Sequence, residues 1–217
     1  KTPTNQTRTS AFNKWFNNSE VIDINGDPLV VYHGTKHSFD KFDYFPAFFT
    51  PEPSVSGFYS NREDDLLGSN IVPVYLSIKK PLHISNDYQE YFEGLGTHAD
   101  HDGFFTMLES VLGDKIPQDI RDYIIADSNR FLADDGTKPI YQYIDENQTL
   151  IDYLEAKGYD GIIANEGIFE DLDDTVFIVF DPTQIKSATG NVGTFSRTNP
   201  SMISETQETY TTTKGEK

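Results

Sequence analysis

Cysteine is absent from the 217 residues, which excludes disulfides, a thiolate nucleophile and any cysteine-based zinc site. Tryptophan occurs once and methionine twice. No apolar run approaches the ~20 residues that cross a bilayer, and the opening residues lack the charged-then-apolar layout of a secretory signal. Positive charge is scarce: 17 lysines and arginines stand against 35 aspartates and glutamates, a formal net charge of −18. That balance disfavours nucleic acid and anionic membranes as partners and favours solubility and basic partners. Also missing are the Gly-x-Ser-x-Gly elbow of a serine hydrolase and the glycine-rich phosphate turns of dinucleotide-redox folds and P-loop NTPases.

What the chain has in quantity is aromatic carbon, with 16 Phe and 12 Tyr. Its length suits one compact domain with tails. Residues 1–9 are polar and threonine-rich and read as an N-terminal linker, and their composition suggests a cut from a larger polypeptide. Ser10 can cap a short helix whose Phe12, Trp15 and Phe16 fall on one face. Val21–Ile24, the turn residues Asn25-Gly26-Asp27-Pro28 and Leu29–Tyr32 form a hairpin pattern. Ala47–Thr50 and Val72–Ile78 read as strands, with a turn or helix over residues 51–59. The signals then become helical, through Phe104, Phe105, Leu108, Val111 and Leu112 and through Ile116, Ile120, Tyr123 and Ile124, so residues of about 85–145 form a helical insert. Leu150–Lys157 is a helix stopped by Gly158. Tyr159–Ala164 and Val176–Phe180 are strands flanking an acidic loop, and residues 198–217 have the composition of a flexible tail.

The stretch Leu29-Val30-Val31-Tyr32-His33-Gly34-Thr35 runs a buried-strand pattern into an imidazole, a glycine and a hydroxyl. At a strand end these can meet a ligand: the glycine lets backbone approach closely, and His33 and Thr35 supply hydrogen-bonding groups. His98-Ala99-Asp100-His101-Asp102 fits no common zinc spacing and reads as a polar loop, and no metal is expected.

Three segments follow one another in order: Tyr32-His33-Gly34-Thr35; Phe48-Phe49-Thr50 with Ser56 and Tyr59; and Val176–Phe180 followed by Asp181-Pro182-Thr183-Gln184. This layout resembles the ADP-ribosyltransferases of the His-Tyr-Glu lineage, shared by diphtheria-type toxins and poly-ADP-ribose polymerases. The run Asp181-Pro182-Thr183-Gln184-Ile185-Lys186-Ser187-Ala188-Thr189-Gly190-Asn191, with the trailing Gly193-Thr194-Phe195, is similar to modules of phage polyvalent and head-associated proteins. The resemblance spans roughly residues 10–197. It implies an α+β fold, a split mixed sheet around an NAD cleft, with an N-terminal helix and the helical insert.

By the same resemblance, NAD is the substrate and nicotinamide the leaving group, and the reaction is mono-ADP-ribosyl transfer to a protein. His33 would hold the adenosine ribose, Gly34 the nicotinamide amide, and Thr35 would support that end. Tyr59 would stack on the nicotinamide ring, Ser56 would bond its carboxamide, and Phe48 would form a second wall. A planar cationic ring does favour aromatic faces and amide-matching hydrogen bonds. In the family pattern a glutamate opens the last core strand, and that position here is Val176. Asp174, through a local bulge, or Glu170 or Glu166, from the acidic loop, would replace it; Asp171 and Asp173 lie near. An NAD glycohydrolase and a degenerate NAD-binding module are the alternatives. A monomer is expected, acting in the cytoplasm of a bacterial or target cell after phage or toxin delivery.

Overall fold

The computed structural model describes residues 5–60, 70–85, 94–128, 136–145, 147–165, 167, 173–191, 193 and 195–203. Nine strands and six helices alternate along them: α1 (Ser10–Phe16), β1 (Val31–Thr35), β2 (Ala47–Phe49), α2 (Pro53–Ser60), β3 (Asn70–Leu76), β4 (Pro81–Ile84), β5 (His98–Ala99), α3 (His101–Leu112), α4 (Gln118–Ser128), β6 (Lys138–Pro139), α5 (Tyr141–Ile144), α6 (Gln148–Ala156), β7 (Gly161–Asn165), β8 (Thr175–Val179) and β9 (Ile185–Ser187). A three-stranded antiparallel sheet has the order β1-β3-β9, and a four-stranded sheet the order β2-β8-β7-β4, in which only β4 and β7 run parallel. This is a mixed α+β architecture with a divided sheet. Strands β4, β5 and β6 carried no clear pattern in the sequence, because two to four residues are too few to show a period.

Side chains alternate across each strand and so assign the layers. Val74 and Leu76 of β3 meet Phe177 and Val179 of β8 between the two sheets, joined by Val31, Phe42, Phe49 and Met202. Tyr75 points the other way, into a cluster with Phe12, Trp15, Phe16, Ala188 and Phe195 that seats α1. Val176, Ile178 and Phe180 face the insert, where Phe104, Phe105, Leu108, Ile124, Tyr143 and Leu154 complete the largest core. The insert therefore packs on the outer face of the second sheet. Within it Tyr123, grouped by spacing with the apolar face of α4, is 64% exposed, while Ile116 and Ile124 are buried; Ile116, Ile120 and Ile124 recur every four residues and Tyr123 falls off that line.

Local signals explain the ends of several elements. The helix α1 is capped one residue earlier than its sequence suggests, by Thr9, whose hydroxyl accepts from the Phe12 N–H at 3.1 Å. Asp100 caps α3 by accepting from the Gly103 N–H at 2.8 Å, which gives one residue of the His98–Asp102 run a folding role. Gly158 follows α6 with φ of +91°, a left-handed conformation that favours glycine.

The run from Asp181 to Asn191 is built as a set of staples. Gln184 Oε1 accepts from the N–H groups of Phe180 and Asp181, and its Nε2 donates to the carbonyls of Ser77 and Asp160. Asn191 Nδ2 donates to the Met202 carbonyl at 3.0 Å. The buried Lys186 ammonium donates to the carbonyls of Asn199 and Ser201 at 2.7 and 2.8 Å. Residues 198–203, which composition assigns to a tail, thus lie against the domain, with Met202 2% exposed in the inter-sheet core. Within the stretch assigned to a linker, Asn5–Arg8 form a 3-10 turn whose Gln6 side chain donates to the Asn191 carbonyl at 2.7 Å.

Candidate active site

A cleft opens where β1 of one sheet meets the end of β2 of the other. Tyr32 of β1 and Thr50, just beyond β2, exchange backbone hydrogen bonds of 2.8 and 3.0 Å. The Ser56 hydroxyl, on α2, donates to the same Tyr32 carbonyl at 3.0 Å. Next to this junction a cleft of about 250 Å³ is lined by Tyr32, His33, Gly34, Phe48, Phe49, Thr50, Ser56, Leu95, Tyr141, Asp145 and Val176. Sites for small ligands range upward from ~300 Å³, so the enclosed part suits one end of an extended ligand.

His33 is set by three aromatic neighbours and one hydrogen bond. Its ring meets Phe42 edge-on at 4.9 Å between centroids, Phe49 at 5.4 Å and Phe39 edge-on at 6.5 Å, while Nδ1 lies 2.9 Å from the Phe48 carbonyl oxygen. A carbonyl can only accept, so Nδ1 carries the hydrogen and Nε2 of the neutral ring is an acceptor. Burial pushes the imidazole pKa below its ordinary 6.5, partly offset by the hydrogen bond to Phe48. The neutral tautomer is therefore the resting form at neutral pH.

Four of the residues named from the sequence, His33, Gly34, Phe48 and Ser56, meet in the cleft. Because the Ser56 hydroxyl hydrogen already goes to Tyr32, what it keeps for a ligand is acceptor capacity, the complement of an amide N–H. Thr35 does not line the cleft; its hydroxyl accepts from the His37 N–H at 3.1 Å. Tyr59 belongs to the last turn of α2, three residues after Ser56, and its side chain lies outside the described residues.

Val176 is 4% exposed and forms part of the cleft wall. The pairing of β7 with β8 runs unbroken from Gly161 opposite Val179 to Asn165 opposite Thr175, so no bulge moves Asp174 toward the Val176 position. Asp174 instead closes the neck of the acidic loop, accepting from Asn165 Nδ2 at 3.1 Å and from the Gly167 N–H at 2.8 Å. It is not part of the cleft lining. Asp173 accepts from the Thr175 N–H at 3.1 Å. Glu166, Glu170 and Asp171 lie outside the described residues.

Sequence reasoning did not find Leu95, Tyr141 and Asp145, which the insert contributes to the cleft. The available signal was slight. Tyr143 and Ile144 are buried, Tyr141 packs partly buried against the same core, and Asp145 follows the short helix as its C-cap in extended conformation, so no helical spacing singles out the cleft residues.

A family model describing ADP-ribosyltransferases in polyvalent proteins matches residues 23–195, most of the chain. No curated protein and no solved structure matches it. No helix of the described residues is long and apolar enough to cross a membrane.

Proposed function

We propose, because the chain belongs to the ADP-ribosyltransferases of polyvalent proteins, that it transfers single ADP-ribose units from NAD to a protein side chain and releases nicotinamide. NAD-dependent ADP-ribosylation is the reaction of the family; the protein acceptor and the single unit are our reading. The observation that carries it is the tautomer of His33. With Nδ1–H fixed on Phe48, Nε2 can accept a ribose hydroxyl, which needs an acceptor. In this reading Gly34 offers its backbone to the nicotinamide carboxamide, Ser56 accepts from the same amide, and Phe48 and Tyr59 cover the ring faces.

Such a site works by orientation. Holding both ends of the dinucleotide leaves the bond between ribose and nicotinamide as the weakest point of a fixed molecule, so binding energy serves the geometry of cleavage. The test is incubation with NAD labelled in the adenylate part, with and without a mixture of basic proteins. Label on protein, together with free nicotinamide, supports transfer. Free ADP-ribose alone would assign glycohydrolysis, and NAD affinity without turnover would assign a binding module.

A further inference from the structure

The wall of the cleft at Val176 is hydrocarbon where the family pattern carries a carboxylate, yet the cleft is not without one. Among the described residues that line it, Asp145 supplies the carboxylate, and it comes from the insert and not from the sheet. Its position follows from a short relay of main-chain bonds. The Leu95 N–H donates to the Asn165 carbonyl at 2.8 Å, and the Tyr141 N–H donates to the Leu95 carbonyl at 3.0 Å. The Asp145 N–H then closes onto the Tyr141 carbonyl at 2.9 Å. Asn165 ends β7 opposite Thr175, and its neighbour Ala164 is opposite Val176. The relay therefore ties α5 to the strand end that holds Val176. Buried Tyr143 and Ile144 anchor α5 in the insert core, while Tyr141 and Asp145 line the cleft.

We propose that Asp145 is a catalytic residue of the ADP-ribosyl transfer, supplying from the insert the negative charge that the last strand lacks; this rests on the reading of the cleft as the NAD site. In the step, the bond between C1′ of the ribose and the pyridinium nitrogen breaks, and its electron pair leaves with nicotinamide, which departs neutral. Positive charge develops on the ribose beside the Asp145 carboxylate. The acceptor's lone pair forms the new bond to C1′, and its proton passes to Asp145 and from there to water. Asp145 lines the cleft while remaining exposed to solvent, and a carboxylate so placed favours a cation that exists only in the transition state once bound NAD displaces water from beside Phe48, Leu95 and Val176.

The experiment compares wild type, Asp145→Asn and Asp145→Glu by nicotinamide release and by calorimetric titration with NAD. Asp145→Asn is expected to lower kcat by about 10²-fold or more while leaving NAD affinity within a few-fold, and Asp145→Glu is expected to regain part of the rate. Asp145→Asn with wild-type kcat overturns the proposal and leaves the NAD reading intact. Equal losses in affinity and kcat/KM, with Asp145→Glu no better, would make the residue structural and also overturn it. A wild-type chain that neither binds NAD nor releases nicotinamide overturns the underlying reading instead.

Discussion

His33 and Phe48 are joined across the divide between the two sheets, Nδ1 to carbonyl oxygen at 2.9 Å. One side chain thereby reports on the closeness of two separate strands, and its other nitrogen is aimed by that closeness.

Replacing His33 by alanine removes the ribose acceptor and leaves the Phe48 carbonyl without this donor. Losing a buried hydrogen bond of this kind costs about 1–3 kcal/mol, so NAD affinity is expected to fall roughly ten-fold to a hundred-fold. Titration calorimetry of His33→Ala reads this directly. Affinity within two-fold of wild type would remove His33 from the ribose site.

The pKa of His33, lowered by burial from 6.5, sets a pH window. The folded protein binds the imidazole proton less readily than the unfolded chain, so the stability tied to this group is fully present above pH 6.5. It is lost as pH falls through the lower, folded value. NAD affinity should stay flat through pH 6.5 and decline only as pH falls towards the lower, folded pKa, where Nε2 takes a proton. Affinity and thermal midpoint measured between pH 5 and 8 check it, and His33→Ala should abolish the shared component. An affinity that rises on acidification contradicts the assigned tautomer.

Gly161 opens β7 where a side chain has no room. A methyl added there would meet the Ile178 carbonyl oxygen at 2.7 Å and Ile78 Cγ2 at 2.8 Å, and neither a central strand nor a buried branched side chain can yield cheaply. Gly161→Ala is expected to destabilise by about 1–3 kcal/mol, the range for overpacking. Urea denaturation measures it. An unchanged midpoint would mean that the strand carries slack that its paired neighbours do not show.

Glu109 organises the join between α3 and α4. The carboxylate is 6% exposed and accepts from the Lys115 ammonium at 2.6 Å, the Ile116 N–H at 2.9 Å and the Arg121 guanidinium. Burial alone would raise its pKa, but Lys115, Arg121 and the Ile116 N–H prevail and hold it at about 2. Its contribution is complete above pH 4.5 and is lost as pH falls towards 2. Removing the carboxylate with Glu109→Ala leaves the Ile116 N–H and the part-exposed Arg121 without this acceptor and is expected to cost about 1–3 kcal/mol, read as a lowered Tm at pH 7. The Tm difference from wild type should shrink below pH 3.

Much of this architecture was legible before any coordinates. His33-Gly34 was visible because β-branched residues run straight into it, and Phe48 and Ser56 because they follow at short distance in segments with their own strand and helix signals. Gly158 marked a helix end through the one conformation that glycine adopts without strain. The Asp181–Asn191 run carries a resemblance whose physical reason is folding, since Gln184, Lys186 and Asn191 each hold main-chain groups from distant segments.

What was not legible depends on tertiary contact. Asp145 is brought to the cleft by the Asn165–Leu95–Tyr141 relay, which joins residues separated by dozens of positions, and no periodicity encodes it. Asp174 and Val176 share a strand-face parity, so alternation alone made Asp174 attractive. The unbroken pairing of β7 with β8 and the claim of Asn165 and Gly167 on its oxygens decided otherwise. Residues 198–203 are mostly polar, yet Met202 and Ile203 pack on the inter-sheet core and the Lys186 and Asn191 hydrogen bonds hold the segment there.

The clamp formed by Lys186 and Asn191 on residues 199–202 bears on how this domain can be excised. The family match stops at residue 195, but a polypeptide terminated there would uncover the space that Met202 fills and leave a buried ammonium facing nothing. Among the described residues the contacts of the domain run on to residue 203, and a truncation series is the natural guide to where a working fragment ends.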